Sequence, residues 1–206
     1  MDPPRIVRVD WLIERGMLSE FSPTTLLCRR IGIKWLMLWE GFIYGPTPGL
    51  AEVLDLLLTR LKPKSMIDLY CGSGAFSKLA FMRGVREIVC VDRFAEAARR
   101  NLRGLGVEVV EGDALSYSPG RVYDLVVADP PEELVERIIK DLGRLRRLMG
   151  KIAVIWLGPY HRAGGRIRRL GGRRMVRVVE AWGDALALLW KPGYRERVES
   201  VARLME

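Results

Sequence analysis

Asp68-Leu-Tyr-Cys-Gly-Ser-Gly-Ala-Phe76 decides the reading of this chain. The run before it, Ser65-Met-Ile-Asp-Leu69, is short and apolar, as a buried strand is. The run after it, Ser77-Lys-Leu-Ala-Phe-Met-Arg83, opens a helix. Gly72 and Gly74 therefore sit where a strand turns sharply into a helix. Glycine there lets the backbone pass close to a ligand, and the helix start aims N–H groups at it. Asp92 follows Gly72 by twenty residues, at the end of the next apolar run, Glu87-Ile-Val-Cys-Val-Asp92. A carboxylate so placed accepts hydrogen bonds from ribose hydroxyls. The pattern predicts a site for a nucleoside-bearing cofactor.

Downstream, predicted strands at 65–69, 87–92, 107–110, 124–128 and 151–157 alternate with predicted helices at 76–83, 94–104 and 132–148. Such alternation specifies a parallel sheet with helices on both faces and right-handed crossovers. Ligands bind these sheets at the carboxyl ends of the strands. Asp68, Asp92, Asp113 and Asp129 all fall at or just after a predicted strand end. The last part breaks the alternation. Residues 174–181 and 185–191 read as two apolar strands joined by Trp182-Gly183-Asp184, close enough to pair antiparallel, and a helix over about 195–205 follows.

Upstream, Gly45-Pro-Thr-Pro-Gly49 is a turn cluster that divides a small extension, 1–46, from the main domain, 47–206. Leu50 to Leu61 is helical in its spacing. The extension predicts a strand at 6–10, a helical turn at 11–17, a helix from Ser22-Pro23 to about Arg30 and a strand at 34–39. It carries Trp11, Trp35 and Trp39, three of the six tryptophans. They are placed either to pack the extension onto the main domain or to hold substrate.

Composition limits the chemistry. The single histidine, His161, and the lack of paired cysteines argue against a metal site and against Ser-His-Asp or Cys-His catalysis. No apolar run is long enough for a membrane span, and the N-terminus lacks a signal-peptide pattern. Three scattered cysteines predict a reducing cytoplasm and no disulfide framework. The net charge is +9, and 27 of the 34 basic residues are arginine, which points to an anionic partner such as nucleic acid. Absence of glutamine and a single asparagine, Asn101, point equally to adaptation to heat. Seven arginines and no acid between Arg162 and Arg177 form either a flexible phosphate-gripping loop or a solvated charged face.

Taken together, these motifs resemble those of the class I S-adenosylmethionine-dependent methyltransferases. Asp68 to Phe76 is similar to their first motif, with Tyr70 where many have a third glycine. Val91-Asp92 resembles the ribose-binding acid, Gly112-Asp113-Ala114 the adenine-edge motif, and Asp129-Pro130-Pro131-Glu132 the motif of enzymes acting on planar exocyclic amines. The terminal antiparallel pair is also that fold's. Pro46-Thr47-Pro48, Gly72-Ser-Gly-Ala75, Arg83-Gly84 and Asn101-Leu102 resemble the bacterial ribosomal RNA guanine-N2 methyltransferases, although Glu132 stands where those enzymes usually carry a base-stacking aromatic.

The resemblance implies an α/β, Rossmann-like class I methyltransferase fold and S-adenosylmethionine as cofactor. It implies cofactor contacts from Thr47, Asp68, Tyr70, Cys71, Gly72, Gly74, Asp92, Arg93, Phe94, Asp113, Ala114 and Asp129. It implies acceptor chemistry at Asp129, Pro130, Pro131 and Glu132, with no metal. The expected acceptor is an exocyclic base nitrogen in RNA, bound with help from 162–177. A protein side chain, or a binding protein without catalysis, is the alternative. The RNA uracil-C5 enzymes share the wording Asp68-Leu-Tyr-Cys-Gly72 but need a cysteine after the fourth motif, and no cysteine follows Cys90.

Overall fold

The computed structural model describes residues 3–170 and 175–205. Chain order begins with the extension: β1 (Arg5–Arg8), α1 (Val9–Glu14), α2 (Pro23–Ile31), β2 (Trp35–Trp39) and β3 (Phe42–Tyr44). These strands form a small antiparallel sheet, β1-β2-β3. Ser22 caps α2 as its residue type predicts, its hydroxyl accepting from the Thr25 amide at 3.1 Å. β3 is not foreseen by the sequence pattern. It is three residues long, and a two-residue turn at Glu40-Gly41, with φ of 50° and 81°, folds it onto β2.

The chain continues with α3 (Pro48–Leu61), β4 (Ser65–Leu69), α4 (Ala75–Met82), β5 (Glu87–Asp92), α5 (Glu96–Asn101), β6 (Glu108–Glu111) and β7 (Tyr123–Ala128). Then come α6 (Glu132–Lys140), α7 (Leu142–Leu148), β8 (Met149–Pro159), α8 (Gly164–Leu170), β9 (Val176–Ala181), β10 (Asp184–Trp190) and α9 (Arg195–Met205). Among the described residues, seven strands make one sheet in the order β6-β5-β4-β7-β8-β10-β9. The first five run parallel, and β10 pairs antiparallel with both β8 and β9. The strand order reverses between β4 and β7, which opens a crevice at their carboxyl ends.

The central strands are apolar on both faces because both faces are covered. Leu125 and Val127 point to the core under α3, α4, α9 and the extension, while Val126 and Ala128 point to the core under α6, α7 and α8. Two expectations are corrected. The single helix predicted over 132–148 is two helices, because Asp141 leaves helical geometry (φ −110°, ψ 45°) and its carboxylate caps α7 by accepting from the Arg144 amide. The arginine-rich stretch is not a loop over its described part. It forms a 3-10 turn at Tyr160–Arg162, then α8, and reaches β9, with 171–174 outside the described residues. No helix among the described residues is long and apolar enough to cross a membrane.

One side chain fastens the extension to the glycine turn. Asn101 is buried. Its Oδ1 accepts from the amides of Lys34 and Trp35 at 3.0 and 3.1 Å, and its Nδ2 donates to the carbonyls of Trp35 and Ser73 at 2.8 and 2.9 Å. The Arg100 guanidinium lies 4.7 Å from the centre of the Trp35 ring beside it. Trp35 thus packs the extension, as one of the two expectations for the tryptophans has it. Asn101→Ala orphans several backbone groups, so it should cost on the order of 3 kcal/mol. The expected fall in Tm is roughly 5–10 °C by scanning calorimetry, and a fall under about 2 °C would show that water replaces the amide without loss.

Candidate active site

The glycine turn has the geometry that its residues allow. Tyr70, Gly72 and Gly74 all have positive φ, at 62°, 51° and 77°. A side chain at Gly74 would meet Leu102 at 2.7 Å, so the turn can lie this close to α5 only with glycine there. Asp92 holds the turn from the neighbouring strand: one carboxylate oxygen accepts from the Gly72 amide and the other from the Phe94 amide, both at 2.8 Å. Burial raises its pKa, and these amides, with the Arg93 charge, act in the opposite direction. Asp113 accepts from the Leu115 amide at 3.0 Å and so shapes its own turn.

Cys71 and Cys90 are joined in a disulfide between the turn and β5, and Cys28 is free and buried. This corrects the expectation of unpaired cysteines. Residues 19 apart in sequence come together because β4 and β5 are adjacent parallel strands.

Beside the turn opens a cavity of about 530 Å³ at the carboxyl ends of the central strands. Of the predicted cofactor residues, Thr47, Tyr70, Cys71, Gly72, Asp92, Arg93, Phe94, Asp113, Ala114 and Asp129 line it, and so do Pro130, Pro131 and Glu132. Asp68 and Gly74 do not. Asp68 lies fully buried behind the wall, with one oxygen accepting from the amide and hydroxyl of Ser77 at 3.0 and 2.7 Å. Its other oxygen is buried without a partner among the described residues. Burial pushes the Asp68 carboxyl up to about 7, against the opposing pull of Ser77.

At the opposite wall Asp129 leaves the end of β7. The Thr47 hydroxyl, at the N-cap of α3, lies 3.0 Å from each of its carboxylate oxygens. Burial pushes Asp129 up to about 7, the Thr47 hydrogen bonds lower it, and the Asp184 charge raises it further. Asp184, at the start of β10, accepts from the Trp156 indole at 2.9 Å. A side chain at Gly49 would meet the Ala181 carbonyl at 2.1 Å, so glycine lets α3 start against the β9–β10 hairpin and brings Thr47 to Asp129. Both oxygens of Glu132 are engaged: Arg166 lies 3.1 Å from one and Arg162 3.0 Å from the other. Arg166 also donates to the Leu157 carbonyl at 2.8 Å.

Sequence reasoning did not assign Met37, Trp39, Tyr44 and Trp156 to the cavity wall. For Trp39 the sequence leaves packing and substrate contact both open, and the structure puts it on the cavity wall. A signal was present in Trp35-Leu-Met-Leu-Trp39, where alternation gives the strand two apolar faces and only one can meet the core.

Comparison with known proteins agrees with this architecture. The sequence model of the conserved hypothetical protein 95 family matches residues 51–162. An uncharacterized RNA methyltransferase of Agrobacterium fabrum is 32% identical over 175 residues, 80% of this chain and 40% of that protein. A ribosomal protein L11 methyltransferase of Bacteroides thetaiotaomicron is 30% identical over 81 residues, 36% of this chain and 29% of that protein. The chain thus spans less than half the length of these curated relatives. The solved structure of a ribosomal protein L11 methylase from Lactobacillus delbrueckii subsp. bulgaricus superposes with a TM-score of 0.57 at 18% identity, covering 75% of this chain and 84% of that one. The fold is that of the class I methyltransferases. The chain belongs to the conserved hypothetical protein 95 family.

Two measurements check this geometry. Denatured without reductant, the protein should show one titratable thiol, Cys28, and after reduction three; three before reduction would contradict the Cys71–Cys90 bond. Asp129 carries a folded pKa of about 7, against roughly 4 in an unfolded chain. Within that window the folded state keeps a proton that the unfolded state has lost, so this group's contribution to stability falls as pH rises from about 4 to about 7. The Tm of the ligand-free protein should therefore fall less over that range in Asp129→Asn than in wild type. Parallel curves would contradict the raised pKa of Asp129.

Proposed function

We propose that this chain is an S-adenosylmethionine-dependent methyltransferase whose acceptor is an exocyclic nitrogen of an RNA base. The observation that carries the reading is the position of Asp129. Its carboxylate lies in the same cavity as Gly72 and Asp92, across the point where the strand order reverses. The residues present fit the cofactor. Glycines expose the backbone at the turn, Asp92 retains lone pairs for ribose hydroxyls beyond its two amide partners, and Asp68 keeps an unpartnered oxygen behind the turn. When bound, the cofactor supplies an electrophilic methyl group on a sulfonium.

The chain's own part is positioning. Gly72, Asp92 and Phe94 hold the nucleoside end. Asp129 accepts a hydrogen bond from the acceptor amine, which aims the nitrogen lone pair, and it receives the proton that the nitrogen must lose. Thr47 fixes its carboxylate for both tasks. Pro130 and Pro131 set the turn that presents it. Glu132 is held by Arg162 and Arg166, and that engagement favours a role in anchoring the start of α6 over proton transfer or recognition of a cationic side chain. RNA is favoured over a protein acceptor for the same reason, and by the net charge of +9. An RNA acceptor favours a cytoplasmic setting. The disulfide suits that setting in a hot-living organism, where intracellular disulfides occur, and the scarcity of amide side chains agrees.

Labelled-methyl transfer onto total RNA and total protein of the source organism tests the reading. Label in RNA is expected; label in protein alone would overturn the acceptor assignment. Asp129→Asn should lose about 100-fold or more in rate. The wild-type rate should rise with pH through about 7, because the ionised carboxylate is the working form, while the residual rate of the variant stays flat. A variant at wild-type rate would refute the role given to Asp129.

A further inference from the structure

The extension's sheet has two faces of different use. Val7 and Leu36 are paired neighbours that point into the main core, and Leu38 packs beside them. On the other face, Met37 pairs with Tyr44 and Trp39 with Phe42, so these four side chains stand together. Trp39 and Tyr44 are absent from the hydrophobic cores and line the cavity instead. Tyr44 is 37% exposed and Phe42 70%. This face is aromatic, continuous with the cavity and not consumed by packing.

The aromatic rings run along the cavity in a fixed order. Phe94, next to Asp92, meets Trp39 edge-on at 5.5 Å between centroids, and Trp39 lies 6.3 Å from Tyr44. Phe94 marks the nucleoside end. Tyr44 marks the other end on two counts. It precedes Thr47 by three residues, and the Thr47 hydroxyl bonds Asp129. It also shares the cavity wall with Glu133, in the first turn after Asp129-Pro-Pro131.

We propose that Tyr44, backed by Trp39, is the surface on which a planar nucleic-acid base stacks while Asp129 takes a hydrogen bond from its exocyclic amine. This deepens the methyltransferase reading and rests on it. The occupant follows from the chemistry of the two walls. A flat aromatic face demands a flat partner. A carboxylate set beside it demands an N–H donor on that partner's edge, and an aminated base offers both. A lysine amine offers no plane for the ring to cover, and a planar guanidinium or amide covers less of it than a base does. Because Asp129 lies inside the cavity, the base must leave its stack to reach it, so the acceptor nucleotide is unpaired or extruded. The β2–β3 hairpin is then an acceptor-binding element, separate from the cofactor contacts made by the main domain.

The test separates the two ends of the cavity. A dye-labelled pool of random 12-residue ribo-oligonucleotides is titrated with the S-adenosylhomocysteine-loaded protein, and S-adenosylhomocysteine affinity is measured separately by calorimetry. Tyr44→Ala should weaken oligonucleotide binding by about five- to a hundredfold. Its affinity for S-adenosylhomocysteine should stay within a factor of about two, as expected for a side chain outside the cofactor contacts. Tyr44→Phe, which keeps the ring, should bind like wild type. Oligonucleotide binding unchanged in Tyr44→Ala, or lost equally in Tyr44→Phe, would overturn the stacking role. An equal loss of S-adenosylhomocysteine affinity would assign Tyr44 to the cofactor and overturn it too. Failure of the wild type to bind S-adenosylhomocysteine at all is a different result, and it counts against the methyltransferase reading itself.

Discussion

The Gly72 amide donates to the Asp92 carboxylate, and the site depends on that bond. It ties a turn with three positive-φ residues to the end of the neighbouring parallel strand. Without such a partner, a turn of this geometry would have several loop conformations of similar energy. The Cys71–Cys90 bond repeats the same link covalently. Asn101 adds a third by joining the Ser73 carbonyl to the backbone of β2. The turn is therefore braced from β5, from α5 and through α5 from the extension. That bracing keeps one cavity wall rigid while leaving its backbone close to the space a nucleoside would occupy.

The opposite wall is built by an independent set of contacts that converge on Asp129. Gly49 allows α3 to begin against the terminal hairpin, which brings Thr47 onto the carboxylate. Asp184, fixed by the Trp156 indole, places a second negative charge nearby. Burial and that charge both favour the protonated carboxyl, so Asp129 titrates near neutrality, where a group can both accept and carry a proton. Glu132, three residues on, has each of its oxygens paired with an arginine instead. The two acids thus differ in their surroundings.

Much of this was legible in the sequence because the signals were local. The strand–glycine–helix turn, the acid at each strand end and the terminal strand pair each sit within a few residues, and β4 and β5 begin and end where the pattern puts them. The Cys71–Cys90 pairing was not legible, since it depends on which strands become neighbours. The break at Asp141 was missed because α6 and α7 continue one apolar stripe across it, and only the side chain's capping bond reveals the interruption. The arginine-rich stretch, left open between a flexible loop and a solvated charged face, did not show its helix because its acid partners, Glu132 and Glu136, lie about thirty residues away in sequence. Tyr44 was hidden, and the choice between packing and substrate contact for Trp39 left open, for a related reason. Alternation shows that a strand has two apolar faces, but only the fold shows that one of them overlooks a cavity.

In the function proposed above, the braced turn and the Asp129 wall enclose a site for S-adenosylmethionine. Isothermal titration of the intact chain with S-adenosylhomocysteine, and separately with NAD, addresses it directly. Saturable binding of S-adenosylhomocysteine at one site per chain, lost in Asp92→Ala, is expected, with no binding of NAD. Binding of NAD with no response to S-adenosylhomocysteine would contradict it.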